Sequence, residues 1–155
     1  MAKLVVAKFG GSAIGANGES IEQIITRIQA LKQDSKIIAV FSAPLTIDND
    51  KKRSLTDVVL EQGRNAEQGI SPSLEKVKKT YEKIISLVNS ENLESCQNAI
   101  NFHLEKAQNA LDEAYEKKEF ADEVRSRALA FSGEILMSHV MNYILRSNKI
   151  HSEAV

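Results

Sequence analysis

Short apolar runs and amphipathic stretches alternate along the start of the chain. Residues 4–7 are uniformly apolar and predict a buried strand. Apolar residues at helical spacing then predict an amphipathic helix, which Ser20 and Gln23 would open as a capping box. Residues 36–41 are again mostly apolar and predict a second buried strand. Strand, helix and strand together predict a βαβ unit with a right-handed crossover.

A polar stretch and a short helix are predicted next. Residues 43–54 should form a polar loop, either a solvated and mobile one or a lid that closes over a substrate. Residues 55–68 have a helical pattern that should stop near Gly69. Ser71 and Pro72 suit an N-cap and a first helical position, so the next helix is predicted to start there.

The central part of the chain has the pattern of a charged helical hairpin. Two apolar stripes at helical spacing run through residues 74–118, with a turn predicted at 89–92. We expect this hairpin to have a structural role and to cover one side of the sheet. Cys96 and His103 could share a helix face, but no further ligands cluster with them. A core cysteine is therefore expected instead of a metal site, and His139 is expected to be a core or interface residue.

The last helical stretch is interrupted. The helical pattern continues to Phe131 and is interrupted at Ser132 and Gly133. Because a glycine inside a helix costs about 1 kcal/mol relative to alanine, either a break in the helix or a close approach of another segment is expected there. A mostly apolar helix follows, and Glu134 lies in its first turn, where the helix dipole favours a negative charge. As a structural feature it is a first-turn acid. Residues 149–155 have the pattern of the beginning of a third strand.

The residues with candidate chemistry follow the two predicted strands. A lysine, two glycines and a hydroxyl come directly after the first strand, at Lys8, Gly10, Gly11 and Ser12. Glycines let backbone N–H groups approach an anion with no Cβ in the way, and the lysine adds a point charge. Ser42 follows the second strand, and ligands of such sheets bind beyond the carboxyl ends of the strands. This pattern indicates a phosphate site, and a tight turn without a ligand is the alternative.

The composition limits the classes of function. The chain has 155 residues, enough for one domain with a sizeable core. Its 20 basic and 21 acidic residues nearly balance, which gives no electrostatic case for nucleic-acid binding. No apolar stretch approaches the roughly 20 residues that a transmembrane helix needs, so no membrane association is expected. One cysteine and no signal-peptide pattern indicate the reducing cytoplasm.

Several segments resemble the aspartate kinases of the amino-acid-kinase superfamily in their order and spacing. Residues 8–12 resemble the Lys-Phe-Gly-Gly-(Thr/Ser) opening of that family. Residues 40–43 look like its second strand, which ends in Val-x-Ser-Ala, and residues 55–57 resemble the Thr-Thr-Asp or Ile-Thr-Asn that follows. Residues 132–138 are similar to the x-Gly-Glu-x-x-Ser stretch that opens a helix in the substrate site. The resemblance spans residues 3–155.

This resemblance implies an α/β fold, the N-terminal half of a carbamate-kinase-like, three-layer fold with a largely parallel sheet and an added helical hairpin. Residues 1–70 would be the βαβ phosphate-binding unit, 71–120 the hairpin, and 121–155 the substrate-site helix and the start of the next strand. The family's C-terminal half supplies most of the nucleotide pocket, an acidic catalytic residue and a substrate-binding arginine, and regulatory domains follow it. We therefore expect residues 1–155 alone to be inactive and, with an open sheet edge, to self-associate; a homo-oligomer is expected.

The implied activity is transfer of the ATP γ-phosphoryl group to the β-carboxylate of aspartate, the entry step to lysine, threonine and methionine synthesis. The resemblance implies that Lys8 is the catalytic residue and that the ATP phosphates are bound by Lys8, Gly10, Gly11 and Ser12. The residues that it implies in binding aspartate are Ser42, Thr56 and Glu134. Magnesium would arrive with ATP, with no protein ligand in this half. The alternatives are another acyl-phosphate or phosphate kinase of the superfamily, or a non-catalytic, dimerising fragment.

Overall fold

The structure is a computed structural model that describes residues 3–155. The α/β class is confirmed, since these residues form four strands and seven α-helices. The strands are β1 (Lys3–Phe9), β2 (Ser35–Phe41), β3 (Leu45–Asp48) and β4 (Lys51–Ser54). The helices are α1 (Gly11–Ile14), α2 (Ile21–Lys32), α3 (Leu55–Glu67), α4 (Glu75–Ile84), α5 (Ser90–Lys117), α6 (Asp122–Ser132) and α7 (Glu134–Ser147), with a 3-10 turn at Ile85–Leu87 after α4.

The predicted unit of two parallel strands and a connecting helix is confirmed. β1 and β2 pair in parallel, from Lys3 opposite Ser35 to Phe9 opposite Phe41. The connecting helix α2 packs against β2 through its apolar stripe. The rings of Phe9 and Phe41 stack with their centroids 5.4 Å apart. The carboxyl ends of both strands are therefore held side by side.

The capping box predicted for α2 is wrong. Ser20 is the N-cap residue, but its side chain accepts no hydrogen bond and its ψ is 9°. Side-chain capping needs an extended backbone at the cap. Here the Ser20 N–H donates to the carbonyl of Ile14, and the Ile21 N–H donates to that of Gly18. A tight turn thus runs directly into the helix and keeps Ser20 out of the capping conformation.

The polar loop predicted for residues 43–54 is instead a β-hairpin of the antiparallel strands β3 and β4. The two residues between the strands, Asn49 and Asp50, have positive φ values of 49° and 61°. Two successive residues of this kind form the type I′ turn, whose twist matches that of the flanking strands. Asp48 of β3 and Arg53 of β4 form an ion pair at 2.9 Å within the hairpin. Two further ion pairs tie the hairpin to the helices, since Asp48 also binds Lys76 of α4 and Arg53 binds Glu61 of α3. Lys76, followed by Arg53, lowers the pKa of the Asp48 carboxyl below its usual range.

The start predicted for the next helix at Ser71 and Pro72 is also wrong, whereas the helix predicted over 55–68 is confirmed as α3. α4 begins at Glu75, whose N–H donates to Ser73 Oγ at 3.2 Å. The Ser73 N–H donates to Gln62 Oε1 of α3 at 2.8 Å. This bond ties the segment before α4 to α3, so the helix starts later than the Ser-Pro pair predicts.

The helical hairpin predicted over residues 74–118 is confirmed as α4 and α5, but its turn and its packing differ from the prediction. Asn89 caps α5 by accepting a hydrogen bond from the Asn92 N–H at 3.1 Å, so the turn precedes Ser90. α5 packs against α3, α6 and α7, whereas β2 packs against α2 and α7. The prediction that the hairpin covers the sheet is therefore wrong, and α7 takes that place. Its apolar side fits this role, with buried side chains at Leu136, Met137, Val140, Met141, Ile144 and Leu145.

The helix break at Gly133 is confirmed, since α6 ends at Ser132 and α7 starts at Glu134. The strand predicted for residues 149–155 is wrong, because this segment has no regular structure. Arg146 of α7 donates two hydrogen bonds to the Ser152 carbonyl, at 3.1 and 3.0 Å. These contacts hold the segment to α7, and a cavity of about 690 Å³ lies between it and β2.

One face of the β1–β2 sheet is open. Leu4, Val6, Ile38 and Val40 are 60, 66, 51 and 44% exposed, although all four are apolar. Lys8 is opposite Val40 in the register, so its side chain lies at the carboxyl end of this open face. Parallel sheets are normally covered on both faces. The open face is therefore the least protected apolar surface of the strands.

Candidate functional site

The loop that follows β1 offers several main-chain donors. Gly10 leaves the strand with an ordinary extended backbone, φ −73° and ψ 171°, and the short helix α1 follows at once. Among the described residues, the N–H groups of Gly10, Gly11 and Ser12 donate no hydrogen bond. The Gly10 carbonyl, in contrast, has hydrogen-bond partners, since it accepts from the N–H groups of Ala13 and Ile14. Successive unpaired N–H groups form a concavity that suits an anion.

Two glycines of the candidate site pack against one small residue, Ala43. A Cβ on Gly11 would lie 2.8 Å from the Ala43 carbonyl oxygen, and a Cβ on Gly133 would lie 3.2 Å from the Ala43 Cβ. Because real Cβ atoms do not approach a backbone oxygen so closely, Gly11 can only be a glycine in this packing. The loop after β1, the end of β2 and the start of α7 therefore meet at Ala43.

Ser42 lies at the junction of the two strand ends. Its N–H donates to the Phe9 carbonyl at 3.0 Å, which extends the ladder of the parallel strands by one bond. Its side chain is half-buried. Ser42 thus lies one residue from the contact between Ala43 and Gly11, as the sequence predicts for the carboxyl end of a parallel sheet.

Thr56 belongs to the first turn of α3, which is anchored beside the same segment. The Leu55 N–H donates to the Pro44 carbonyl at 3.3 Å. Ser54 caps α3, because its side-chain oxygen accepts from the Thr56 N–H at 3.1 Å. Sequence reasoning missed this cap, although Ser54 directly before an amphipathic stretch is its usual signal. The half-buried Thr56 side chain therefore starts from a fixed helix end.

Glu134 is the first residue of α7, directly after the contact between Gly133 and Ala43. Its side chain is exposed. The hydroxyl of the buried Tyr81 donates to the Ser132 carbonyl at 2.9 Å, with Gly133 O at 3.3 Å. Burial, and secondly the charge of Glu134, raises the pKa of the Tyr81 phenol above its usual range. The sequence placed Tyr81 only in an apolar stripe and gave no sign of this contact.

The candidate residues thus differ in how closely they are gathered. Gly11, Ser42 and Glu134 belong to segments in direct contact, and the segment of Thr56 is joined to Pro44. Lys8 and Ser12 are exposed, and among the described residues Lys8 forms no ion pair. The arrangement can therefore offer main-chain donors, the cation of Lys8 and the carboxylate of Glu134 near the carboxyl ends of the two parallel strands.

Two histidines form a second cluster that the sequence did not predict. His103 of α5 and His139 of α7 have ring centroids 4.7 Å apart, and His103 Nδ1 is buried without a hydrogen-bond partner among the described residues. Burial, then the charges of His139 and Lys106, lowers the pKa of His103. Cys96 is buried, as expected, and burial raises the pKa of its thiol to about 11. In residues 3–155, no three histidine, cysteine or acidic side chains are grouped to bind a metal ion.

Among residues 3–155, no helix is both long enough and apolar enough to cross a lipid bilayer.

The fold and the site define a class of protein: an α/β protein with unpaired main-chain N–H groups and a free carboxylate near the carboxyl ends of its parallel strands. The amino acid kinase family matches residues 3–155, and the chain belongs to this family. Membership implies an enzyme of the phosphotransferase type, a kinase. No curated protein sequence matches the chain.

Proposed function

We propose that this chain acts in an aspartate kinase, which transfers the γ-phosphoryl group of ATP to the β-carboxylate of aspartate and forms 4-phospho-aspartate. The observation that carries the proposal is the meeting of three segments at Ala43, with unpaired N–H groups on one side and Glu134 on the other. A phosphate donor and an amino-acid acceptor need these opposite charges close together. The motifs of residues 8–12, 40–43 and 132–138 favour aspartate among the acceptors of the family.

The loop after β1 would bind the phosphates of ATP. The N–H groups of Gly10, Gly11 and Ser12 would donate to phosphate oxygens, together with the Ser12 hydroxyl. Lys8 would stabilise the negative charge that develops on the phosphoryl group during transfer. Phosphoryl transfer depends on positioning and on charge stabilisation more than on covalent chemistry of the protein. Magnesium would be brought by ATP and would neutralise phosphate charge.

The acceptor would be held on the other side of Ala43. The Glu134 carboxylate would accept hydrogen bonds from the ammonium group of aspartate, and the exposed position of its side chain leaves it free to do so. Ser42 and Thr56 would donate hydroxyl hydrogen bonds to the carboxylates of aspartate. The backbone contacts of both residues hold them at fixed positions, because one bonds to Phe9 and the other follows a capped helix end.

The proposal is tested by Glu134→Gln in the whole product of the gene. The substitution keeps the size of the side chain and removes the charge that would pair with the substrate ammonium. Since a hydrogen bond to a charged group contributes about 1.5–3 kcal/mol, the KM for aspartate should rise roughly 10- to 150-fold. The KM for ATP should stay unchanged.

Glu123→Gln is the matched control, since Glu123 is an exposed first-turn acid of α6, as Glu134 is of α7. It should leave both KM values unchanged. An unchanged KM for aspartate in Glu134→Gln would return Glu134 to the role of a first-turn helix acid. A panel of other carboxylate and phosphate acceptors, assayed with the unmodified enzyme, separates aspartate kinase from another kinase of the superfamily.

A further inference from the structure

Tyr81 is a buried residue whose hydroxyl bonds to the helix break that precedes Glu134. It lies on α4, and no part of it is exposed. Its hydroxyl donates to the Ser132 carbonyl at 2.9 Å, and the Gly133 carbonyl is 3.3 Å away. Ser132 and Gly133 follow Tyr81 by 51 and 52 positions in the chain. A single phenol therefore links α4 to the junction of α6 and α7.

The Ser132 carbonyl depends on this hydroxyl. The last carbonyls of a helix lack a partner within the helix. The Gly133 carbonyl accepts the Met137 N–H at 2.8 Å, which is the first bond of α7. For the Ser132 carbonyl, the Tyr81 hydroxyl is the partner found among the described residues. Because Ser132 is buried, water cannot easily replace the hydroxyl.

The position of the break decides where α7 begins. Gly133 packs against Ala43 on one side, with 3.2 Å from its Cβ position to the Ala43 Cβ. The Tyr81 hydroxyl holds the carbonyls on the α4 side of the same junction. The junction is therefore held from two directions, by a steric contact and by a hydrogen bond. Glu134 is the next residue of the chain.

We propose that Tyr81 is a positioning residue for the acceptor site: its hydroxyl fixes the junction of α6 and α7, and thereby the place of the Glu134 carboxylate relative to Ser42. This inference rests on the proposed function of Glu134. A tyrosine that served only to fill the core would need its ring and not its hydroxyl, so removal of the oxygen alone separates the two roles.

The test compares Tyr81→Phe with Tyr115→Phe. Tyr115 is 40% exposed and its hydroxyl makes no hydrogen bond among the described residues, so its variant is a matched control. Amide hydrogen exchange over residues 133–137 is measured first, because it needs no enzymatic activity. Tyr81→Phe should accelerate exchange there by about 3- to 10-fold, the effect of one hydrogen bond. Exchange in α2 and in the control variant should not change.

The second measurement is the KM for aspartate of the whole gene product. Tyr81→Phe should raise it by about 3- to 10-fold and leave the KM for ATP unchanged, and it should add nothing in a Glu134→Gln background, because both changes act on one interaction. Unchanged exchange at 133–137, or an unchanged KM for aspartate while Glu134→Gln raises it, would overturn the role of Tyr81 alone. An unchanged KM in Glu134→Gln itself would overturn the proposed function, and with it this inference.

Discussion

Gly10 and Gly11 are neighbours in the candidate phosphate loop, yet alanine should act on them in opposite ways. A Cβ on Gly10 would meet no atom within 4 Å, and the backbone there has an ordinary φ of −73°. A Cβ on Gly11 would lie 2.8 Å from the Ala43 carbonyl oxygen and 3.5 Å from Leu45 Cδ2. Gly10 is thus free of steric demands from the protein, and Gly11 is not.

The expected magnitudes follow from these distances. Gly10→Ala should leave the free energy of unfolding unchanged or raise it by up to about 1 kcal/mol, because alanine reduces the freedom of the unfolded chain. Gly11→Ala should lower it by about 1–3 kcal/mol, as overpacking against a backbone atom does. For a chain of this length that is a fall of about 2–12 °C in Tm.

Thermal unfolding, followed by circular dichroism, measures the difference in stability between the two variants, and the KM for ATP measures their effect on phosphate binding. If a phosphate approaches Gly10, the methyl group of Gly10→Ala should obstruct it and raise the KM for ATP roughly 10- to 150-fold, the loss of one charge-assisted bond. An unchanged KM would mean that no phosphate lies against Gly10. Equal losses of Tm in both variants would mean that the packing of Gly11 on Ala43 is not as described.

Two further predictions concern charged groups. Lys8→Ala in the intact enzyme should lower kcat by on the order of a hundred- to a thousandfold with little change in either KM, and Lys8→Arg should not restore it, since a planar fork replaces a compact ammonium; near-normal turnover of both variants would exclude Lys8 from catalysis. His103 is buried with a lowered pKa, caused first by burial, so the unfolded chain takes up its proton more readily. The contribution of neutral His103 to the free energy of unfolding should therefore be complete above the ordinary histidine pKa of about 6.5, and this free energy should decrease as the pH falls below it. When Tm is measured against pH, His103→Gln should flatten this dependence between about pH 7.5 and 5.5, whereas the exposed control His151→Gln should not. Equal flattening by both variants would contradict the assignment of the pH dependence to His103.

The sequence predicted those elements whose structure follows from a local pattern of apolar residues or from a single glycine. The parallel strands, α3 and the break at Gly133 all follow from local patterns of this kind. The hairpin of β3 and β4 was missed because its turn, Asn49-Asp50, contains no glycine and all four residues of β4 are polar. A strand of this kind gains its stability from ladder bonds and ion pairs with distant residues, which leave no apolar alternation to detect.

The candidate site was predictable as segments but not as an arrangement. The motif around Lys8 and the one around Glu134 can each be recognised along the chain, since each is local. Their meeting at Ala43 depends on how closely two backbones approach, which no spacing within either motif encodes. The partner of Tyr81 is similarly hidden, because a tyrosine in an apolar stripe looks like any core residue until its hydroxyl finds a carbonyl 51 positions away.

The way in which the site is held separates its chemistry from its stability. Main-chain contacts join the segments: the Ser42 N–H bonds to Phe9, and Gly11 and Gly133 pack on Ala43. Three of the side chains with proposed chemistry, those of Lys8, Ser12 and Glu134, take no part in this packing, since they are exposed. Preorganised sites need a rigid support around their reactive groups. Here the support is backbone and small residues, so a change of the exposed side chains should alter kinetic constants at nearly constant Tm, whereas enlarging the small residues should lower Tm first.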